Sequence, residues 1–249
     1  MVERDSISLE TVSSSERAGS STEGRAIELY RFGTGTTTLL FVGGIHGGYE
    51  WNSVALAHTA IEYFEQCQTC VPDDISLLII PVLNPDGLAA VLGENTRAAL
   101  TEAPTERSAT EHGRFNARDI DLNRNFACKW QPTGTWKGQT VSAGIEAFSE
   151  TEARVLRDVV LREQPSAVVF WHSKAGAVYA SECHEGVLPE TLAITRAYAA
   201  AADYRAVEQF DAYLVTGDAE GWLASIGIPA ITVELETHDS SEWERNKKG

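Results

Sequence analysis

Four stretches of the chain are nearly continuous in apolar residues and have the length of strands. Residues 36–45 run through TTTLLFVGGI and end in glycines, and residues 76–83 read SLLIIPVL. Residues 166–171 and Ala230–Leu235 repeat the character, and a strand-like pattern also begins at Ile27. Runs without polar alternation suit strands buried on both faces. Between them, residues 53–64 carry apolar positions at helical spacing, at Val54, Ala55, Ala57, Ile61 and Phe64, and residues 188–202 form another helix. A third helix opens at Ser149-Glu150-Thr151-Glu152, where Ser149 and Glu152 have the spacing of a capping box. Asn84-Pro85-Asp86-Gly87 reads as a turn.

Strands alternating with helices predict an α/β fold: a single domain with a mixed, mostly parallel central sheet flanked by helices on both faces. Residues 1–25, rich in Ser and Glu at their start, are expected to be a loosely ordered lead-in to a domain spanning 26–249. Residues 93–127 are polar, irregular and rich in arginine, and a stretch this long inside a compact domain tends to be functional.

Composition narrows the partners. Over 249 residues the formal charge is -16, a field that repels nucleic acid and anionic membrane alike. The N-terminus has no apolar core for a signal peptide, and no segment approaches the roughly 18 apolar residues of a membrane span. Cys67 and Cys70 form a lone CxxC with no second ligand pair at structural-zinc spacing, so they read as chemically idle. Together with Cys128 and Cys183 they suit a reducing compartment, and the chain is read as cytoplasmic.

Open α/β sheets place ligands at the carboxyl ends of their strands. Here three strands end in groups able to bind metal or move protons. The first leads into GGIHGGYEW, with His46 and Glu50; the strand VVFWHS ends in His172; ITVELE carries Glu234 and Glu236. Two histidines and a carboxylate around an open position form a ligand set for catalytic zinc. GGIHGG has neither the GxGxxG spacing nor the P-loop Lys-Ser/Thr, so a nucleotide loop is disfavoured.

From about Gly43 to Glu236 the chain resembles the zinc metallocarboxypeptidase family. The resemblance rests on His46, Glu50 and Trp51, then Asn84-Pro85-Asp86-Gly87, then Gly113-Arg114-Phe115-Asn116 leading into Asp121-Leu122-Asn123-Arg124-Asn125-Phe126. His172-Ser173, the segment from Tyr213 to Trp222, and Glu234-Leu235 complete it. One departure stands out: the family has two residues between its first His and Glu, whereas Gly47, Gly48 and Tyr49 make three. Two glycines let such a loop bulge without moving either ligand.

The resemblance implies one Zn2+ ion held by His46, Glu50 and His172, with Glu234 as general base in preference to Glu236, which lies two residues on and on the same strand face. It further implies Arg114 beside the developing oxyanion, Asn123 and Arg124 on the substrate carboxylate, and Tyr213 closing over the substrate. Arg118 reads as a salt-bridge residue. Glu220, seven places after Tyr213 and near Asp218, is expected at the base of a side-chain pocket, where it would favour Lys, Arg or a diaminopimelate-like amine. The implied function is a zinc metallocarboxypeptidase acting on a peptide, a peptidoglycan-type peptide or a small carboxylate-bearing substrate. The alternatives are an N-acyl amino acid deacylase of the aspartoacylase or succinylglutamate desuccinylase type, and an inactive metal-free binding module.

Overall fold

A computed structural model describes residues 13–94, 96–104, 106–210 and 214–249. In chain order the strands are β1 (Ser13–Ser20), β2 (Ala26–Phe32), β3 (Thr37–Val42), β4 (Ile75–Ile80), β5 (Thr133–Trp136), β6 (Gln139–Ser142), β7 (Ala167–Ser173), β8 (Ala177–Ala180), β9 (Glu182–Cys183), β10 (Gly186–Val187), β11 (Arg205–Val207) and β12 (Ala230–Leu235). The helices are α1 (Trp51–Gln66), α2 (Pro85–Leu92), α3 (Thr96–Ala99), α4 (Arg107–Thr110), α5 (Thr151–Glu163), α6 (Pro189–Ala202), α7 (Ala219–Ser225) and α8 (Trp243–Asn246).

Eight strands make one sheet in the order β1-β2-β4-β3-β7-β12-β8-β11, and two short hairpins, β5-β6 and β9-β10, stand apart from it. The centre, β4-β3-β7-β12, is parallel throughout, while β1 and β2 pair antiparallel at one edge. Near the other edge β8 runs antiparallel to β12. The expected α/β architecture is therefore present, and its four apolar stretches are the four central strands.

Their two-sided burial follows from strand periodicity. Leu78 and Ile80 of β4, with Val168 and Phe170 of β7, join Leu156, Val159 and Val160 of α5 and Trp222 and Leu223 of α7 in one core cluster. Leu77, Ile79, Val169 and Trp171 face the other way, onto Leu56, Ala57, Ala60 and Ile61 of α1 and Tyr198 and Ala199 of α6. Successive residues on a strand point to opposite faces. One apolar run thus feeds two cores.

Three local expectations need correction. Residues 13–20 are not a loose lead-in but an edge strand, β1, paired along its length with β2 and packed through Gly19 against Val155; residues 1–12 lie outside the described residues. Asn84-Pro85-Asp86-Gly87 does not simply turn: Asn84 caps α2, its side chain accepting from Gly87 N, and Pro85 takes the first helical position, where its missing N–H costs nothing. Ser149 is no cap for α5, which begins after Glu150; its hydroxyl instead donates to the Glu150 carboxylate.

The cysteines also differ from expectation. All four are paired, Cys67 with Cys70 and Cys128 with Cys183, which removes the ground for reading a reducing compartment. Among the described residues no helix is long and apolar enough to cross a membrane.

Closing a loop of 55 residues removes more denatured-state entropy than closing one of 3. Replacing Cys128 and Cys183 together by alanine is expected to cost about 4 kcal/mol in urea unfolding, against about 2 kcal/mol for the Cys67/Cys70 pair. Equal losses would contradict that ordering.

Candidate metal centre

β3 pairs with β4 on one side and β7 on the other, so the sheet order reverses there and opens a crevice at the strand ends. The chain leaves β3 through Gly43 and Gly44 and turns at His46. A 3-10 turn, Gly47–Glu50, then delivers Glu50 to the start of α1. Ser53 ties this turn down: its hydroxyl donates to Glu50 O at 2.7 Å and accepts from Gly44 N at 3.1 Å. Gly47 has φ +44°, and a Cβ there would stand 2.6 Å from Gly113 O. No other residue fits that crossing without backbone movement.

His172 arrives on β7, in register with Glu234 on β12. Directly paired residues on adjacent strands share a face, so sheet pairing alone sets Glu234 beside His172. Glu236 goes elsewhere: beyond the strand end, it is exposed and pairs with Arg245 at 2.7 Å.

His46, Glu50 and His172 offer ligand atoms that all lie within 4.8 Å of one another, and all three residues are buried. His172 Nδ1 is 3.1 Å from Glu50 Oε2, and the two imidazole centroids are 5.0 Å apart. Ligands about 2.0–2.1 Å from a tetrahedral zinc stand about 3.3 Å from each other, so this separation suits the ion. The hydrogen-bond inventory agrees. His46 Nδ1, Glu50 Oε2 and Glu234 Oε2 are buried atoms without a hydrogen-bond partner. Buried polar atoms normally find one, and three gathered in one crevice point to a ligand. The extra residue before Glu50 has not displaced it from the set.

The electrostatics carry the same message. Burial, reinforced by Arg114 and by His172, holds His46 well below the usual histidine range. His172 is raised well above it: burial opposes the charge, but the Glu50 and Glu220 carboxylates outweigh burial. Burial and then the Glu50 charge push Glu234 up to about 7, and burial and then Glu220 push Asp218 up to about 6. Glu220 moves down, because His172 more than offsets its burial.

Around the set stand the other candidates. Arg114 is buried and held on Asp121, donating from Nε to Oδ2 at 2.9 Å, with its guanidinium 5.0 Å from the Trp136 ring centroid. Asn123 accepts from Ala219 N at 2.9 Å, and Arg124 donates to Asn123 O at 2.6 Å. Phe126 N and Gly217 O are also bonded, so the 123–128 segment and the start of α7 form one wall. Arg118 pairs with Glu150 at 2.6 Å, half-exposed, as expected of a salt-bridge residue. Glu220, on α7, accepts from Thr232 Oγ1 at 3.0 Å and lies 3.2 Å from His172 Nε2. Asp218 caps α7, accepting from Gly221 N. Tyr213 lies outside the described residues.

Sequence reasoning assigned no role to Asp121, Trp136 or Ser173. Asp121 is wholly buried between Arg114 and His46, 3.7 Å from His46 Nδ1. Its place in the DLNRNF motif was the available signal. Trp136 sits in a β-hairpin whose polar strands have no periodic signature. Ser173 contacts Asn52 and His238 at 2.9 and 2.6 Å, a pairing only the fold creates.

Titrating zinc into metal-stripped protein is expected to raise its melting temperature. At 100-fold excess over the dissociation constant, binding adds about 2.7 kcal/mol, roughly 5–10 °C for a domain of this size. His46→Ala, Glu50→Ala and His172→Ala should each abolish the shift, and persistence of the full shift in any of them would remove that residue from the set.

Comparison with known proteins agrees with this geometry. The family model for zinc carboxypeptidase matches residues 8–241. Carboxypeptidase B from Astacus astacus is 27% identical over 167 residues, covering 64% of this chain and 53% of the relative. Carboxypeptidase B from Helicoverpa zea is 27% identical and covers 91% of this chain and 58% of the relative. The chain thus spans little more than half the length of these curated relatives. Among solved structures, murein-tripeptide amidase MpaA from Escherichia coli O157 superposes with TM-score 0.66 at 22% identity, over 94% of this chain and 87% of that one. Thrombin activatable fibrinolysis inhibitor gives TM-score 0.72 at 19% identity, over 96% of this chain and 66% of that one. With a family match across nearly the whole sequence, on a fold and a buried His/Glu/His set that suit it, the chain belongs to the zinc carboxypeptidase family.

Proposed function

We propose that the protein is a zinc-dependent metallocarboxypeptidase that hydrolyses the C-terminal amide bond of a peptide or a peptidoglycan-type peptide. The observation that carries the reading is the buried His46, Glu50 and His172 cluster, with unpartnered atoms on His46 and Glu50 and the Glu234 carboxylate beside it.

Bound there, a single zinc ion would supply Lewis acidity and lower the pKa of a water towards neutrality. Glu234, paired beside His172, would take the proton of an attacking water and return it to the leaving amine. Arg114, fixed by Asp121 and the Trp136 ring, offers a permanent cation to the developing oxyanion without reorganisation. The planar guanidinium of Arg124 matches a terminal carboxylate, and Asn123, locked by Ala219 N, supplies its neighbour. Requiring that carboxylate is what would confine the enzyme to chain ends. Tyr213 is assigned its closing role by family resemblance alone. The paired cysteines favour an oxidising compartment over the cytoplasm.

The test is to incubate zinc-loaded protein with peptides of varied C-terminus and identify released residues by mass. Release is expected from free-acid peptides and not from their C-terminal amides. Glu234→Gln should lower kcat by about 10²–10⁴-fold with zinc content unchanged. Deacylation of N-acyl amino acids without any release from peptides would instead establish the deacylase alternative.

A further inference from the structure

A glutamate in the first turn of α7 is in contact with the back of a metal ligand. Glu220 is 4% exposed, and its Oε1 both accepts from Thr232 Oγ1 at 3.0 Å and stands 3.2 Å from His172 Nε2. Thr232 and Glu234 lie two residues apart on β12, so they share a face of the sheet, and Glu234 pairs directly with His172. α7 packs across that face, with Trp222 and Leu223 in the core cluster beneath it and Asp218 capping its first turn. The carboxylate is therefore held from both sides, by the helix that carries it and by the strand it reaches.

His172 uses its two ring nitrogens differently. Nδ1 lies 3.1 Å from Glu50 Oε2, an atom of another residue of the candidate metal set, while Nε2 lies 3.2 Å from Glu220 Oε1. With a metal on Nδ1 the neutral ring would carry its only proton on Nε2, the nitrogen beside the carboxylate. Such an outer carboxylate fixes the tautomer and orientation of the ring and makes the ligating nitrogen more basic. We propose that Glu220 is a positioning residue for the metal, acting through His172, and that its carboxylate is committed to that ring rather than left free for a substrate side chain. Reach explains why the position is Glu: an aspartate would withdraw the carboxylate by one methylene, out of contact with Nε2. The inference rests on the metal reading given above.

The experiment measures zinc dissociation constants by competition with a chromophoric chelator, for the unaltered protein and for Glu220→Gln, Glu220→Asp and Thr232→Val. Both Glu220 variants are expected to bind zinc about 10–100-fold more weakly. Thr232→Val, nearly isosteric and so safe for the fold, should weaken binding several-fold by freeing the carboxylate. Cobalt-substituted protein should show an altered visible absorption spectrum in all three. Variants that match the unaltered protein in zinc affinity and cobalt spectrum would overturn the proposal, most plainly if Glu220→Gln raised KM only for C-terminal Lys and Arg. Failure of the unaltered protein to bind zinc would be a different result, sinking the metal reading itself and this inference with it.

Discussion

Glu50 and Glu220 stand on opposite sides of one imidazole, 3.1 and 3.2 Å from its two nitrogens, in a crevice that leaves them 3% and 4% exposed. Everything else in the site is arranged to make that burial tolerable. An uncompensated charge taken out of water costs several kcal/mol, so these carboxylates need a fixed cationic partner, and His172 alone must serve two of them. The Glu234 carboxylate adds to the excess. A divalent ion would resolve it, and the same excess would draw one into the crevice. Geometry must therefore be rigid, because a ligand that could swing away would leave its neighbour's charge unanswered. Rigidity comes from the sheet, whose β7–β12 register puts His172 and Glu234 side by side, and from the Ser53 hydroxyl that pins the turn carrying Glu50.

Much of this was legible in the sequence. β3, β4, β7 and β12 announce themselves because burial on both faces leaves no polar positions to blur the run, and ligand sites follow from where such strands end. His46, Glu50, His172, Glu234 and Glu236 were singled out that way, with family resemblance preferring Glu234 over Glu236 and adding Arg114, Asn123 and Arg124. What stayed hidden is what sequence proximity does not encode. β1 is Ser-rich, with most of its side chains exposed or half-exposed, so no alternation marks it; its pairing with β2 makes it a strand. Cys128 and Cys183 are 55 residues apart and meet only because the segment after Arg124 and the β9–β10 hairpin are packed together.

Orientation was the other hidden quantity. Glu234 and Glu236 share a period-2 face on paper, yet only the first lies within the ladder, and the chain leaves the sheet before the second. Glu220 shows the converse. Counting along the motif put Glu220 seven places after Tyr213 but said nothing of where a carboxylate one methylene longer than aspartate would come to rest. Where side chains end up at the margin of an element is decided by packing partners, here Thr232 and His172 for Glu220, and Arg245 for Glu236.

The inserted residue between His46 and Glu50 is explained at the level of backbone contacts. Gly47, Gly87 and Gly113 cross so closely that a Cβ on Gly47 or on Gly87 would come within 2.6 or 2.4 Å of Gly113 O, and one on Gly48 within 2.9 Å of Gly87 O. The turn can hold three residues because two of them have no side chain to place, while the third, Tyr49, is directed onto Trp136, at 5.0 Å between centroids. Trp136 is also the ring under the Arg114 guanidinium, and Arg114 follows Gly113 directly. The metal-ligand turn and the arginine beside it are thus located by one shared crossing and one shared aromatic. A longer spacing between His46 and Glu50 therefore does not loosen the site, because the same contacts that absorb the extra residue also fix the distance from this turn to Arg114.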